Sequence, residues 1–123
     1  MKNLKRQGSS IPQADLEYEG LKEDFIWKVF IQVLKGLKAM HDLNIMHRDL
    51  KSANVFLNSD DTVKLGDMNV SKVASKEGLN FTQTGTPYYA SPEVWRDEPY
   101  DIKSDIWSLG CVLYEMITLK PPF

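Results

Sequence analysis

The stretch His47-Arg48-Asp49-Leu50-Lys51-Ser52-Ala53-Asn54 decides how this chain is read. It gathers an acid, a lysine and a carboxamide (Asp49, Lys51 and Asn54) within six residues, just ahead of the apolar triplet Val55-Phe56-Leu57. Each of the three, taken alone, is an ordinary solvated turn residue. The joint pattern is much harder to dismiss. Lys51 follows Asp49 by two positions, so in an extended loop both side chains leave on the same side.

Val55-Phe56-Leu57 and Val63-Lys64-Leu65 predict two short strands, and Asn58-Ser59-Asp60-Asp61 between them is turn chemistry, which makes a hairpin. Strands this short do not stand alone and must pack on the element before them. That element is a helix predicted over residues 21–41, where Ile26, Phe30, Val33, Leu37 and Met40 recur at steps of three and four. Phe25, Trp27, Val29, Ile31 and Leu34 widen its apolar surface and predict a mostly buried helix. Glu23 and Asp24 suit the dipole of its first turn, and His41 reads as its polar end. Residues 67–100 show little periodicity and carry Gly78, Gly85, Pro87, Pro92 and Pro99. A structureless stretch of that length is functional or disordered in most domains. Residues 102–118 predict a second helix, apolar around most of its circumference through Ile106, Trp107, Leu109, Val112, Leu113, Met116 and Ile117. It is expected to be the central helix of the core, stopped by Pro121 and Pro122. The polar residues 1–20, with Gly8, Pro12 and Gly20, read as an irregular or partly helical lead-in.

Composition narrows the classes further. The 123 residues are 42% hydrophobic and 26% charged, which excludes collagen and wholesale disorder and allows one modest core. Fifteen basic and seventeen acidic residues are mixed along the chain, leaving no electrostatic footprint for nucleic acid. No apolar run approaches the roughly 18 residues of a membrane span. Lys2, Lys5 and Arg6 precede no apolar segment, so they read as a solvated tail rather than a membrane anchor or a secretory signal. Cys111 is the single cysteine; it reads as a small buried apolar residue, and a chain without disulfides fits a reducing, cytoplasmic compartment.

Residues 47–54 match the catalytic-loop pattern H-R-D-L-x-x-x-N. Asp67 follows, then Gly85-Thr86-Pro87-Tyr88-Tyr89, Ser91-Pro92-Glu93 and Lys103-Ser104-Asp105-Ile106-Trp107-Ser108-Leu109-Gly110. In that order and spacing the chain resembles one half of a eukaryotic serine/threonine protein kinase, from about Leu16 to Phe123. The phrases HRDLKSANVFL, GTPYYASPE and YDIKSDIWSLGCVLYEM are most similar to the NIMA-related (never-in-mitosis) group. The resemblance implies a mainly α fold with a short β-hairpin, a partial kinase-like C-lobe of α+β type. Residues 21–123 would carry the catalytic loop, metal loop, activation segment and central helix, with 1–20 as lead-in.

Roles follow from the resemblance residue by residue. Asp49 would orient the substrate hydroxyl and accept its proton, while Lys51 would neutralise charge on the transferring phosphate and mark a serine/threonine enzyme. Asn54 would offer its carboxamide oxygen to magnesium, and Asp67 would bridge magnesium to the phosphates of ATP, since this ion prefers hard oxygen ligands. Phe56 would floor the adenine pocket, although on residues alone it reads equally as a hairpin residue packed in the core. His47 reads as a packed structural histidine. Asp105 is an acid in an apolar helix, whose burial is costly without partners; the family has it accept hydrogen bonds from the catalytic-loop backbone. Thr82 sits where related kinases carry an activating phosphate, whose charge of about −1.5 to −2 could pair with Arg48. Thr86 resembles the threonine that helps recognise the substrate hydroxyl, whereas Thr84 reads as a solvated loop residue.

Departures from the family pattern matter too. Asp67-Met68-Asn69 replaces Asp-Phe-Gly, and altered activation-loop switching is expected rather than loss of chemistry. Ser91 replaces an alanine, a mild change, and Glu93 lacks its customary arginine partner within the chain. No glycine-rich loop, V-A-I-K lysine or partner glutamate precedes residue 21. The expectation is therefore a serine/threonine kinase using ATP and Mg2+ on protein substrates, represented by an incomplete domain that is inactive and marginally stable alone. The alternative is an inactive truncated kinase or pseudokinase acting as a binding module; a small-molecule phosphotransferase is the weaker third. No nucleic-acid or membrane partner is expected, and cytoskeletal or ciliary partners enter only by family analogy.

Overall fold

A computed structural model describes residues 20–66, the strand residues 72–73 and residues 87–123. The first helix, α1, runs Glu23–Asp42 with Glu23 and Asp24 in its first turn. It ends where Leu43 and Asn44 turn back on the carbonyls of Met40 and His41, at 3.0 and 2.9 Å. Asn44 takes φ 56°, a left-handed conformation that asparagine tolerates well. The buried stripe is Ile26, Val29, Val33 and Leu37, at the three-and-four spacing of one helix face. The wider apolar surface is not covered as the sequence predicts: Trp27, Ile31 and Leu34 are exposed. Periodicity identifies Ile26, Val33 and Leu37 of the inward stripe, but Val29, read as part of the wider surface, is buried while Phe30 and Met40 are half-buried.

The hairpin forms at the predicted residues. Strand β1 (Ile45–Met46) precedes it; β2 (Val55–Leu57) pairs antiparallel with β3 (Val63–Leu65) in the register Val55↔Leu65, Phe56↔Lys64, Leu57↔Val63. Asp60 ties the turn by accepting from the Thr62 hydroxyl and N–H at 2.7 and 3.0 Å. Those two bonds hold the Asp60 carboxyl below its ordinary range. Gln32 of α1 docks the hairpin, its Oε1 accepting from the Val63 N–H at 3.0 Å and its Nε2 donating to the Asp61 carbonyl at 3.2 Å.

Three elements fall in the stretch that the sequence leaves structureless. β4 (Lys72–Val73) pairs antiparallel with β1, a 3-10 turn covers Pro87–Tyr89, and the short helix α2 spans Pro92–Trp95. Helix α3, Lys103–Thr118, ends at Leu119 in the left-handed region with φ 59°. It is not enclosed all round: Leu109, Cys111, Val112 and Met116 are buried, while Ile106, Trp107, Tyr114 and Ile117 are exposed. Its inner face joins α1, Leu50 and the hairpin in one core, and Met46, Val94 and Tyr100 form a second, smaller cluster. The fold is mostly helical with small antiparallel sheets. No helix among the described residues is long and apolar enough to cross a membrane.

Candidate active site

The loop between β1 and β2 carries the site. Asp105, 2% exposed in the first turn of α3, anchors its start. One carboxylate oxygen accepts from the His47 N–H at 2.9 Å and contacts His41 Nε2 at 2.8 Å; the other accepts from the Arg48 N–H at 2.9 Å. These partners compensate the burial of the charge. They also hold Arg48 at φ 69°, a strained conformation for a residue with a Cβ. Its guanidinium donates to the Tyr100 hydroxyl at 3.1 Å.

His47 is fully buried beneath the loop. Its Nδ1 accepts from the Asp49 N–H at 3.3 Å, which leaves Nε2 to donate to the Gly66 carbonyl at 3.2 Å. The ring thus fixes the backbone of Asp49 and joins it to the residue before Asp67. Asp49, Lys51 and Asn54 converge above it. Lys51 Nζ lies 3.3 Å from Asp49 Oδ2, and Asn54 Nδ2 lies 3.3 Å from the same oxygen. Asn54 Nδ2 also donates to the Asp49 carbonyl at 2.7 Å, so the other end of its carboxamide is an oxygen. Asn54 itself is buried in a 3-10 turn, Ser52–Asn54. Phe56 is half-buried, and its ring edge occupies the space beside Gly66, where an added Cβ would lie 2.3 Å from Cε2.

Glu93, for which the sequence suggests no arginine partner, is held by hydroxyls. Ser104 Oγ donates to its Oε1 at 2.8 Å, and Ser91 Oγ lies 3.0 Å from Ser104 Oγ. Burial pushes the Glu93 carboxyl up, but its own N–H, the Ser104 and Ser91 hydroxyls and Arg96 outweigh this and leave it below its ordinary range. A cavity of about 20 Å³ beside Arg48, Tyr100, Ser104 and Asp105 has room for one water and none for a nucleotide.

Asp67, Thr82 and Thr86 lie outside the described residues, as do Met68, Asn69, Thr84 and the lead-in up to residue 19. Sequence reasoning misses His41, read as a helix end yet bonded to Asp105 across 64 positions. It also misses Ser52, Tyr89 and Glu115, whose side chains meet: the Ser52 and Tyr89 hydroxyls both donate to Glu115 Oε2. No local pattern signals either group, because each partner sits on a different element.

Comparisons with known proteins identify the family. Residues 7–123 match the protein kinase domain family. Serine/threonine-protein kinase Nek1 of Mus musculus is 52% identical over 103 residues, covering 83% of this chain and 9% of that protein. Serine/threonine-protein kinase Nek5 of Homo sapiens is 52% identical over 103 residues, covering 82% and 14%. Nek3 of Mus musculus is 49% identical over 102 residues, covering 82% and 20%. The chain thus spans at most about one-fifth of the length of these relatives. With its H-R-D-L-x-x-x-N loop folded around Asp49 and matched along residues 7–123, the chain belongs to the protein kinase domain family, on its NIMA-related serine/threonine branch.

Proposed function

We propose that these residues form the catalytic part of the large lobe of a serine/threonine protein kinase. The reaction moves the γ-phosphoryl group of ATP to a serine or threonine hydroxyl of a protein: an O–P bond forms, the bond to ADP breaks, and the hydroxyl proton passes to Asp49. The observation that carries this reading is the meeting of Lys51 Nζ and Asn54 Nδ2 at one carboxylate oxygen of Asp49, each at 3.3 Å. Asp49 is 11% exposed, so its carboxylate is held by neighbours yet open to a substrate hydroxyl. Lys51 places a cation beside the position a transferring phosphate would take.

Mg2+ fits the donor chemistry here, because the Asn54 carboxamide, its nitrogen already committed to Asp49, has a hard oxygen to offer. Asn54 and Asp67 are the residues that would hold it. Bound with ATP, the ion neutralises phosphate charge. Phe56 would floor the adenine site, Thr86 would contact the substrate hydroxyl, and a phosphate on Thr82 would pair with Arg48. His47, Arg48, Glu93 and Asp105 are structural supports of the loop and of the segment around Glu93. Cytoplasmic location, with cytoskeletal or ciliary partners, belongs to the same proposal and rests on family analogy.

The test grafts residues 21–123 over the matching segment of the mouse Nek1 kinase domain and follows phosphate transfer from ATP to a protein substrate. Transfer is expected, and Asp49→Asn should lower kcat by about 10²- to 10⁴-fold. A folded graft that binds protein but transfers nothing supports the binding-module alternative instead.

A further inference from the structure

Helix α3 meets the loop region along one stripe. Asp105, Ser108, Val112 and Glu115 follow at steps of three and four, so they share a face. Asp105 grips the start of the loop through the His47 and Arg48 amides. Ser108 Oγ donates to the Tyr89 carbonyl at 2.7 Å. Glu115 Oε2 accepts from both the Ser52 and the Tyr89 hydroxyls. Ser52 is 1% exposed and opens the 3-10 turn that ends at Asn54, where the Asn54 N–H returns to the Lys51 carbonyl at 2.9 Å.

From this geometry we infer that Ser52 is a positioning residue: its hydroxyl, held by Glu115, sets the turn that aims Asn54 at Asp49 and couples that turn to the Tyr89 segment. Asp105 alone fixes only the start of the loop. Asn54 lies beyond a second bend, and Lys51, just before it, is fully extended at φ −158°. The far end is tied to the hairpin by the Gly66 N–H, and the Ser52–Glu115 bond adds its attachment to α3 about ten residues along the helix, roughly 15 Å from Asp105. A carboxylate acceptor makes this bond stronger than one between neutral groups. Because Tyr89 shares the acceptor, displacement of the Tyr89 segment also alters the Ser52–Glu115 bond. The inference rests on the kinase reading only in naming Asp49 and Asn54 as the groups aimed.

The test uses the ¹⁵N-labelled full chain and needs no turnover, so a failed kinase assay and a failed positioning claim remain distinguishable. The readouts are the side-chain NH₂ resonances of Asn54 and the exchange protection of the Asn54 and Gly66 amides. Gly66 belongs to this set because its N–H donates to the Asn54 carbonyl at 2.9 Å. Ser52→Ala should shift the Asn54 NH₂ pair and cut protection at both amides about tenfold. Ser52→Cys, close in volume and a weaker donor, should act in the same direction to a smaller extent and serves if the alanine variant does not fold. Glu115→Gln should move the same signals. Cys111→Ala, a core truncation on the same helix away from the junction, should lower the melting temperature without moving them. Unmoved Asn54 signals in both Ser52 variants, or an equal shift in Cys111→Ala, would overturn the inference.

Discussion

Gly66 shows how one missing atom shapes the site. Its backbone is not in the left-handed region, so the need for glycine is one of space: a Cβ would come within 2.3 Å of Phe56 Cε2 and 2.9 Å of Cδ2. Gly66→Ala should force the Phe56 ring aside and destabilise the chain by about 1–3 kcal/mol, the usual range for overpacking. A Phe56→Leu, Gly66→Ala double variant should recover part of that loss in a denaturant titration. Equal midpoints for wild type and Gly66→Ala would show that the ring yields freely. Tyr89 offers a second check at this scale. Burial, then the hydrogen bond to Glu115, pushes its phenol up to about 12. An unfolded tyrosine titrates near pH ~10, so between there and the folded value the unfolded state sheds a proton that the folded state keeps. Stability due to this group is therefore intact below pH ~10 and lost as pH rises through the folded value. Urea midpoints from pH 8 to 12 should fall more steeply for wild type than for Tyr89→Phe; parallel slopes would remove Tyr89 as the cause.

At the scale of elements, legibility follows the range of the interaction. The hairpin is readable because two apolar triplets flank Asn58–Asp61, and its pairing and turn bonds lie within a few positions, although Gln32 docks it on α1. The pairing of β1 with β4 is not, since two-residue strands carry no alternation and their partners are remote in sequence. The convergence of Asp49, Lys51 and Asn54 was legible from spacing and resemblance. The acceptors that hold the loop from α3 were legible only for Asp105, where an acid at the buried start of an apolar helix demands an explanation. Glu115 sits on a half-buried face and makes no such demand. The Asp105 bonds carry a prediction of their own. Asp105→Ala takes the carboxylate acceptor from the buried His47 N–H and the part-buried Arg48 N–H and should cost about 3 kcal/mol or more. Asp105→Asn keeps one acceptor oxygen but turns an NH₂ toward a donor, so its cost should be smaller, at about 1–3 kcal/mol. Denaturant midpoints ranking asparagine level with wild type would show that the carboxylate is not what holds the loop.

For the molecule as a whole, the two helices share one core and leave apolar faces outside it. On α1, Trp27, Ile31 and Leu34 follow at steps of four and three and are exposed; on α3, Ile106, Tyr114 and Ile117, at steps of eight and three, are exposed too. Trp107 stacks on Phe123 with ring centroids 6.1 Å apart, yet Phe123 remains 73% exposed, so the stack covers little. Scattered apolar side chains are normal on a protein surface, but faces repeated along both main helices are not. Their burial is worth roughly 25 cal/mol per Å² wherever a surface is available to cover them. The described residues leave them to water, and the chain in isolation should therefore associate as its concentration rises, and bind a hydrophobic dye while still folded. Ile117→Lys and Leu34→Lys should reduce scattering and dye binding with little change in the melt, because neither side chain belongs to the buried core. Monodisperse wild type at high concentration, with no dye binding and a sharp melt at high temperature, would contradict this, and the exposed faces would then have to be sealed by an arrangement of α1 and α3 other than the one seen here.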